Sequence, residues 1–294
     1  MGIKFLNLTV LICLFLCSCK QEKRYHTNTG LIYQVFPETP NPKDSLIKIG
    51  KTAKIRLIQM VGDSVMDDNY KRMPLYWPVT PGFGNRYNPL ETFDYGLHEN
   101  DSVVTTQRID SMQRKGILKT VPKWMKGSDE WITRFKIVKV FSNDSLLQVD
   151  KMAEAKRVQS ILNNLSKTAL SNYIKKKNIK AMASKDGIYK ELVKQGAGAP
   201  AINGKNLTMH IILTSLSGKK LNSTRDTKTK APAQFLLGAG FFPAPVENQL
   251  QGLTAGSQVR LYVPGILLFG IEPRAKDVKA EDNWIFDLDL VAVK

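Results

Sequence analysis

The stretch from Asp144 to Asn178 contains neither glycine nor proline, and no other feature of this sequence limits the possible folds as strongly. Its apolar residues recur at spacings of three and four, the period of one face of an α-helix. Asn143 or Asp144 is a suitable N-cap. The stretch therefore predicts one long amphipathic helix that divides the chain into two regions. The apolar positions of the predicted face are Leu147, Met152, Ala155, Val158, Ile161, Leu162, Leu165, Ala169, Tyr173 and Ile174.

Both regions contain short runs in which apolar and polar residues alternate, which is the pattern of half-buried β-strands. A cluster of prolines and glycines at residues 74–89 predicts a long loop in the first region. Residues 246–252 predict a short helix in the second, with Val246, Gln249 and Leu250 facing inward. The runs that predict strands are 51–57, 102–109 and 131–140 before the long helix, and 188–192, 207–213, 258–263 and 284–293 after it.

The two strand-rich regions contain similar short sequences in the same order. We interpret this order as a diverged internal duplication. The interpretation gives a first domain at residues 29–142, a helical linker at 143–180 and a second domain at 181–294. The corresponding segments are Gly30-Leu31-Ile32-Tyr33 and Gly187-Ile188-Tyr189, Gly50-Lys51-Thr52 and Gly204-Lys205-Asn206, and Asp129-Glu130-Trp131-Ile132 and Asp282-Asn283-Trp284-Ile285.

Residues 1–19 have the charge, length and order of a secretion signal. Lys4 provides a positive start, residues 5–15 are apolar, and Leu16-Cys17-Ser18-Cys19 follows. The last four residues resemble a bacterial lipobox, in which the cysteine thiol receives a diacylglycerol group. We therefore expect lipidation of Cys19, a polar tether at residues 20–28, and a lipid anchor in a membrane of the bacterial envelope. An ordinary signal peptide with incidental cysteines is the alternative.

All three cysteines lie in or next to this signal, so the mature chain would contain no disulfide and no cysteine-based metal site. The three histidines, His26, His98 and His210, lack the spacing of metal ligands. We expect no metal and no cofactor. The formal net charge is +17. For an exported chain this charge favours anionic lipid head groups over nucleic acid, and a solvated basic surface without a partner is the alternative.

Six motifs follow one another in the second region at nearly fixed spacing. In this order they resemble the FKBP-type peptidyl-prolyl cis-trans isomerases. The whole chain resembles most closely the tandem FKBP lipoproteins of Bacteroidetes-type bacteria. The motifs are Gly187-Ile188-Tyr189 with Gln195-Gly196-Ala197-Gly198, Ser217-Gly218-Lys219-Lys220-Leu221-Asn222-Ser223-Thr224, Phe235-Leu236-Leu237-Gly238, Gly252-Leu253-Thr254-Ala255-Gly256-Ser257, Val263-Pro264 with Phe269-Gly270, and Trp284-Ile285-Phe286-Asp287-Leu288-Asp289-Leu290.

The resemblance implies an α+β fold with two FKBP-like domains, joined by the long amphipathic helix. Each domain would be a twisted antiparallel sheet around a short helix. The resemblance also implies prolyl isomerase activity, with proline-containing polypeptides as clients and no cofactor.

In the family, aromatic residues form the proline pocket, and an Asp and a Tyr supply its main polar contacts. Only Phe286 matches an aromatic pocket position outright. The resemblance places Ile211 at a strand Tyr, Leu221-Asn222 at a Phe-Asp pair, Ala233 at a wall Phe, Phe241-Phe242-Pro243 at a Glu-Val-Ile run, Val246 at the floor Trp and Phe269 at a Tyr. The predicted proline pocket is therefore Ile211, Leu221, Asn222, Phe235, Phe241, Phe242, Val246, Phe269 and Phe286. In the first domain, Met66-Asp67, Phe93 and Thr133 stand at pocket positions.

These replacements leave two hypotheses. The chain is an envelope-anchored prolyl isomerase or folding factor with weak activity, in which Phe241 and Phe242 rebuild the apolar wall. Alternatively, it is a catalytically inactive, peptide-binding lipoprotein with a chaperone-like or scaffolding role. We expect the outer membrane as its location, facing either the periplasm or the outside. The long helix could form a dimer or pack on either domain, so the oligomeric state stays open.

Overall fold

The computed structural model describes residues 23–38, 45–81, 86–226, 228, 230–273 and 278–294. The predicted signal segment, including Cys19, lies outside these residues. The described chain contains two antiparallel sheets, separated in the sequence by a long helix, which confirms the predicted α+β fold class. Contacts divide the described residues into a first unit, which runs to Asp67 and includes Tyr76–Ser142, and a second unit, Asp68–Leu75 with Asn143–Lys294.

The first unit contains a seven-stranded sheet. Its strands are β1 (Tyr25–His26), β2 (Ile32–Phe36), β3 (Thr52–Val61), β4 (Ser64–Asp68), β5 (Leu75–Pro78), β6 (Ser102–Arg108) and β7 (Glu130–Phe141). The strand order is β1-β2-β6-β7-β3-β4, and β5 also pairs with β3. A 3-10 helix, Pro89–Tyr95, precedes β6, and α1 (Ile109–Arg114) follows it.

Two details of the first unit differ from the sequence prediction. Part of the predicted loop at 74–89 is the strand β5, which is too short for alternation to reveal. The strand predicted to reach residue 109 ends at Arg108, and α1 begins at Ile109. Ile109 and Met112 are the buried residues of α1, and their spacing of three is helical.

The long helix is α2 (Asp144–Lys176). Its predicted N-cap is confirmed, because the side-chain oxygen of Asn143 accepts hydrogen bonds from the backbone N–H groups of Ser145 and Leu146. Met152 and Leu165, which the sequence pattern assigned to the apolar face, are exposed. Among the residues described, no helix has the length and hydropathy that crossing a bilayer requires. The buried residues of α2 are Leu147, Val158, Leu162, Ser166, Leu170 and Ile174.

The second unit contains the other seven-stranded sheet. Its strands are β8 (Met182–Ala183), β9 (Tyr189–Lys194), β10 (Asn206–Ser215), β11 (Lys220–Ser223), β12 (Ala233–Leu236), β13 (Gln258–Pro264) and β14 (Asn283–Val293). Two short helices are α3 (Ala244–Glu247) and α4 (Gly265–Phe269). One face of the sheet packs against α2, where Leu170 and Ile174 meet Tyr262 and Ile285. The other face covers α3, and we call it the inner face.

The two sheets have the same strand order. The second reads β8-β9-β13-β14-β10-β11, and β12 pairs with β10 as β5 pairs with β3. The register also agrees: Trp131 of β7 pairs with Val61 at the end of β3, and Trp284 of β14 pairs with Ser215 at the end of β10. The paired positions of β3 and β7 therefore have counterparts in β10 and β14. This correspondence is what an internal duplication predicts.

Candidate functional site

Four phenylalanine rings of the second unit contact one another beside the inner face of the sheet. Phe235 of β12 stacks on Phe241, with 4.3 Å between ring centroids. Phe242 lies edge to face against Phe235, Phe241 and Phe286, at centroid distances of 5.6, 4.8 and 5.4 Å. Aromatic pairs favour these geometries. We call Phe235, Phe241, Phe242 and Phe286 the phenylalanine cluster.

Buried apolar residues support this cluster from behind. Val246 of α3 is fully buried, and Ile211 of β10 belongs to the same core cluster as Phe235 and Phe286. Phe241, in contrast, is 49% exposed. The phenylalanine cluster therefore presents an aromatic surface to solvent that rests on a packed core. Such a surface can bury the ring of a proline and exclude water from its neighbouring peptide bond.

A buried carboxylate fixes the segment that carries Phe241 and Phe242. Glu247 of α3 is 4% exposed. It accepts hydrogen bonds from the backbone N–H groups of Gly238 (2.9 Å) and Phe242 (3.0 Å). Gly238 has a φ of +92°, and a Cβ there would lie 3.1 Å from the side chain of Asn203. The two hydrogen bonds of Glu247 hold the turn after β12, and Gly238 permits the backbone conformation that places the two rings.

Three of the predicted pocket residues belong neither to the phenylalanine cluster nor to the buried core cluster behind it. Leu221 on β11 is 38% exposed. Asn222 is also exposed, and its side-chain oxygen accepts a hydrogen bond from the neighbouring backbone N–H of Ser223. The Phe269 ring lies against Trp284, with 5.6 Å between centroids. The structure thus brings together Ile211, Phe235, Phe241, Phe242, Val246 and Phe286.

The face of the second sheet that packs against α2 carries charged and hydrogen-bonded groups. The Arg260 guanidinium donates to Asp287 at 2.5 Å, and the Tyr262 hydroxyl donates to Glu191 at 2.8 Å. Burial, together with this hydrogen bond, raises the pKa of Tyr262 above its ordinary value. Because the Tyr262 ring packs on Tyr173 of α2, these groups serve the attachment of the helix. Across the described ranges, no group of three or more His, Cys, Asp or Glu side chains could hold a metal ion.

The first unit has polar residues where the second has apolar ones. By the register of the strands, Thr133 corresponds to Phe286, Thr105 to Leu261 and Gln59 to Leu213. Thr105 and Thr133 are buried, and the Gln59 amide donates to the Thr133 hydroxyl at 3.3 Å. Phe93, predicted at the floor position, is buried and meets Phe135 edge to face. Met66 is exposed on β4. At the position of Phe286 the first unit therefore carries a threonine in place of an aromatic ring.

The phenylalanine cluster lies in a part of the chain that matches a known protein family. Residues 198–291 match the family described as FKBP-type peptidyl-prolyl cis-trans isomerase. All four rings of the cluster lie within this range. This part of the chain is an FKBP-type domain. Over 109 residues the chain is 29% identical to FK506-binding protein 4 of Rhizopus delemar. The match covers 37% of this chain and 28% of that protein, so the chain spans only part of the relative's length.

Several solved structures resemble the chain. FkpA from Escherichia coli aligns with 51% of this chain and 71% of its own, at 19% identity and a TM-score of 0.37. The structure of a peptidyl-prolyl cis-trans isomerase from Pseudomonas syringae aligns with 45% of this chain and covers 96% of its own length, at 18% identity and a TM-score of 0.37. The structure of the three FKBP domains of wheat FKBP73 aligns with 91% of this chain and covers 96% of its own length, at 11% identity and a TM-score of 0.34.

Glu247 is the residue of the FKBP-type domain that the sequence analysis missed. The predicted short helix at 246–252 was expected to bury Val246, Gln249 and Leu250. In the structure α3 ends at Glu247, and Glu247 is buried while Gln249 is half-buried. The available signal was an acidic residue in the first turn of a helix, close after the two phenylalanines.

Proposed function

We propose that the FKBP-type domain acts on polypeptides that contain proline, as a peptidyl-prolyl cis-trans isomerase that assists protein folding. The phenylalanine cluster is the observation that supports this proposal. Rotation about an X–Pro bond has a barrier of roughly 18–20 kcal/mol, because amide resonance must be broken. Catalysis requires no nucleophile or metal. It requires a dry apolar surface that holds the proline and favours the twisted, less dipolar amide.

The proposed roles follow from the exposure of each ring. Phe241, the most exposed ring, would lie over the proline, and Phe242 and Phe286 would form the side of the binding surface. Val246 lies buried behind them and keeps the rings from collapsing inward. Glu247 acts indirectly, since it holds the backbone of Phe242.

We further propose that the activity is weak. The resemblance places the polar contacts of the substrate at Asn222 and Phe269. The Asn222 oxygen is engaged by the adjacent Ser223 N–H, and the Phe269 ring packs on Trp284. Neither provides the charge or the hydroxyl that the family uses. The same observation favours a second candidate function, in which the domain binds peptides as a chaperone-like or scaffolding module without useful turnover.

A proline isomerisation assay separates the two functions. The chain from residue 20 onward, without lipid, is added to a peptide with one X–Pro bond. We expect a rate above that of buffer alone, and a loss of most of this acceleration in Phe241→Ala. Trp124→Ala is the matched control, because it removes an exposed aromatic ring from the first unit. Acceleration no greater than buffer, combined with peptide binding that Phe241→Ala weakens, would leave only the peptide-binding function.

We also propose that the chain is a lipoprotein of the bacterial envelope, anchored through Cys19. The support is the order of charged, apolar and Leu16-Cys17-Ser18-Cys19 segments. Expression of the full chain followed by detergent phase partitioning tests the anchor. We expect the wild-type chain in the detergent phase and Cys19→Ser in the aqueous phase. Equal partitioning of the two would exclude lipidation at this cysteine.

A further inference from the structure

A groove of about 320 Å³ opens beside the edge of the second sheet. Its volume is at the lower end of the range of ligand sites, about 300–1,000 Å³. None of its lining residues belongs to the phenylalanine cluster. We call it the edge groove, and it is lined by Lys180, Met182, Lys190, Leu192, Gln195, Gln251, Gly252 and Leu253.

The edge groove lies along the outer side of β9. The edge strand β8 has only two residues and pairs with Tyr189 and Lys190 of β9. Within the described part of the chain, β9 continues to Lys194 without a strand neighbour on that side. Leu192 and Val193 are about half exposed there. An open strand edge with exposed apolar side chains is a template for an added strand.

The part of β9 that pairs with β8 shows which backbone groups of β9 face this open edge. The backbone N–H of Ser184 donates to the carbonyl of Ile188, and two residues further along Met182 pairs with Lys190. Every second residue of β9 therefore directs its backbone groups towards β8. The next in this series is Leu192, so its N–H and C=O face the open side, next to the groove.

In the first unit, tyrosine side chains lie at the position that corresponds to the edge groove. Tyr25 pairs with Tyr33 as Met182 pairs with Lys190, and by strand register Tyr33 corresponds to Lys190. Tyr25 stacks on Tyr33 at 5.4 Å between centroids, and Tyr33 lies 5.3 Å from Tyr95. Tyrosine rings thus occupy this position in the first unit. In the second unit, Met182 and Lys190 stand at these positions and line the edge groove.

Lysines supply the charge of the edge groove. The Lys190 ammonium donates to the carbonyl of Gln249 at 2.7 Å, which holds it at the groove wall, and Lys180 lines the same groove. Ammonium groups favour aromatic faces and carboxylates as neighbours. We infer that the edge groove binds an extended polypeptide segment, which adds to β9 as a strand and places an aromatic side chain, flanked by acidic residues, in the groove.

Binding of a designed peptide to the chain from residue 20 onward tests this inference. The probe is an acetylated peptide with one tyrosine between two valines and a glutamate on each flank. In the matched peptide, alanine replaces the tyrosine. By calorimetry we expect the tyrosine peptide to bind about tenfold tighter or more. We also expect it to slow amide hydrogen exchange at Leu192. Equal affinity of the two peptides, or unchanged exchange at Leu192, would overturn the inference.

Two variants locate the site independently of the peptide design. The double variant Met182→Tyr with Lys190→Tyr copies the first unit and fills the groove, so we expect about tenfold weaker binding. Leu192→Pro removes the N–H that faces the open edge and is expected to weaken binding as well, without breaking the ladder to β13. Val291→Tyr, at an exposed position of β14, is the matched control and should bind like wild type. Wild-type affinity in folded Leu192→Pro would overturn strand addition at this edge.

Discussion

The carboxylate of Glu247 accepts a hydrogen bond of 3.0 Å from the backbone N–H of Phe242, and this contact fixes one side of the phenylalanine cluster. The first unit contains the same arrangement at its 3-10 helix. There Glu91 is fully buried and accepts hydrogen bonds from the backbone N–H of Tyr87 and from the hydroxyl of Thr29. Each unit thus uses a buried glutamate to hold the loop that enters its short helix.

Replacement of Glu247 by glutamine tests the importance of this arrangement. An amide has one acceptor oxygen where the carboxylate has two, and its NH₂ group would face a backbone N–H. We expect Glu247→Gln to lower the free energy of unfolding by about 1–3 kcal/mol and to reduce isomerase activity. Urea unfolding measures the first effect and the proline assay the second.

The matched control for this prediction is Glu281→Gln, because Glu281 is exposed. It should change the free energy of unfolding by no more than about 0.5 kcal/mol. If both variants unfold at the same urea concentration as wild type, the two hydrogen bonds of Glu247 do not stabilise the loop.

Thr105 of β6 pairs with Thr133 of β7, and replacing each by valine should change the stability of the chain in opposite directions. Both are buried, but the Thr133 hydroxyl accepts a hydrogen bond from Gln59, whereas the Thr105 hydroxyl has no partner among the residues that the structure covers. Thr105→Val replaces an unsatisfied hydroxyl by a methyl group and should stabilise the chain by about 1 kcal/mol. Thr133→Val removes the acceptor of Gln59 and should destabilise it by a similar amount, about 1 kcal/mol.

Urea unfolding of the two single variants beside wild type checks these signs. Each variant is the control for the other, since both remove one hydroxyl from adjacent strands of the same sheet. Destabilisation in Thr105→Val would mean that its hydroxyl is hydrogen-bonded in solution.

The elements that local pattern determines were predictable from the sequence. The helix α2 buries every fourth residue from Val158 to Ile174 and has an asparagine at its cap, so its type and start were predictable. The β5 strand was missed because its pairing with β3 is a tertiary contact that a four-residue segment does not encode. Met152 was assigned to the buried face by its apolarity, but burial depends on which neighbours the helix meets.

The candidate site was less predictable, because its residues come together only through packing. The resemblance placed Leu221 and Phe242 equally in the pocket, yet Leu221 is exposed on β11 while Phe242 contacts three other rings. The role of Glu247 depends on a turn whose conformation Gly238 permits. The edge groove depends on the short pairing of β8 with β9, a tertiary contact that sequence spacing does not encode.

The hydrogen bond from Tyr262 to Glu191 makes the stability of the second unit depend on pH in the alkaline range. Tyr262 is 1% exposed, and burial followed by this hydrogen bond raises its pKa above the ordinary value of 10.0. In the unfolded chain the phenol loses its proton near pH 10, while the folded chain still holds it. The contribution of this group to stability is therefore fully present below pH 10 and falls as the pH rises further.

Tyr262→Phe isolates this contribution, because phenylalanine keeps the ring packing on α2 but cannot ionise. At neutral pH we expect wild type to be more stable than Tyr262→Phe by about 1 kcal/mol, the value of one hydrogen bond. Above pH 10 the advantage of wild type should shrink and then reverse, because ionisation destabilises only wild type. Denaturant unfolding from neutral to alkaline pH measures the difference. A difference between wild type and Tyr262→Phe that stays constant from neutral to alkaline pH would show that Tyr262 titrates alike in the folded and unfolded chains.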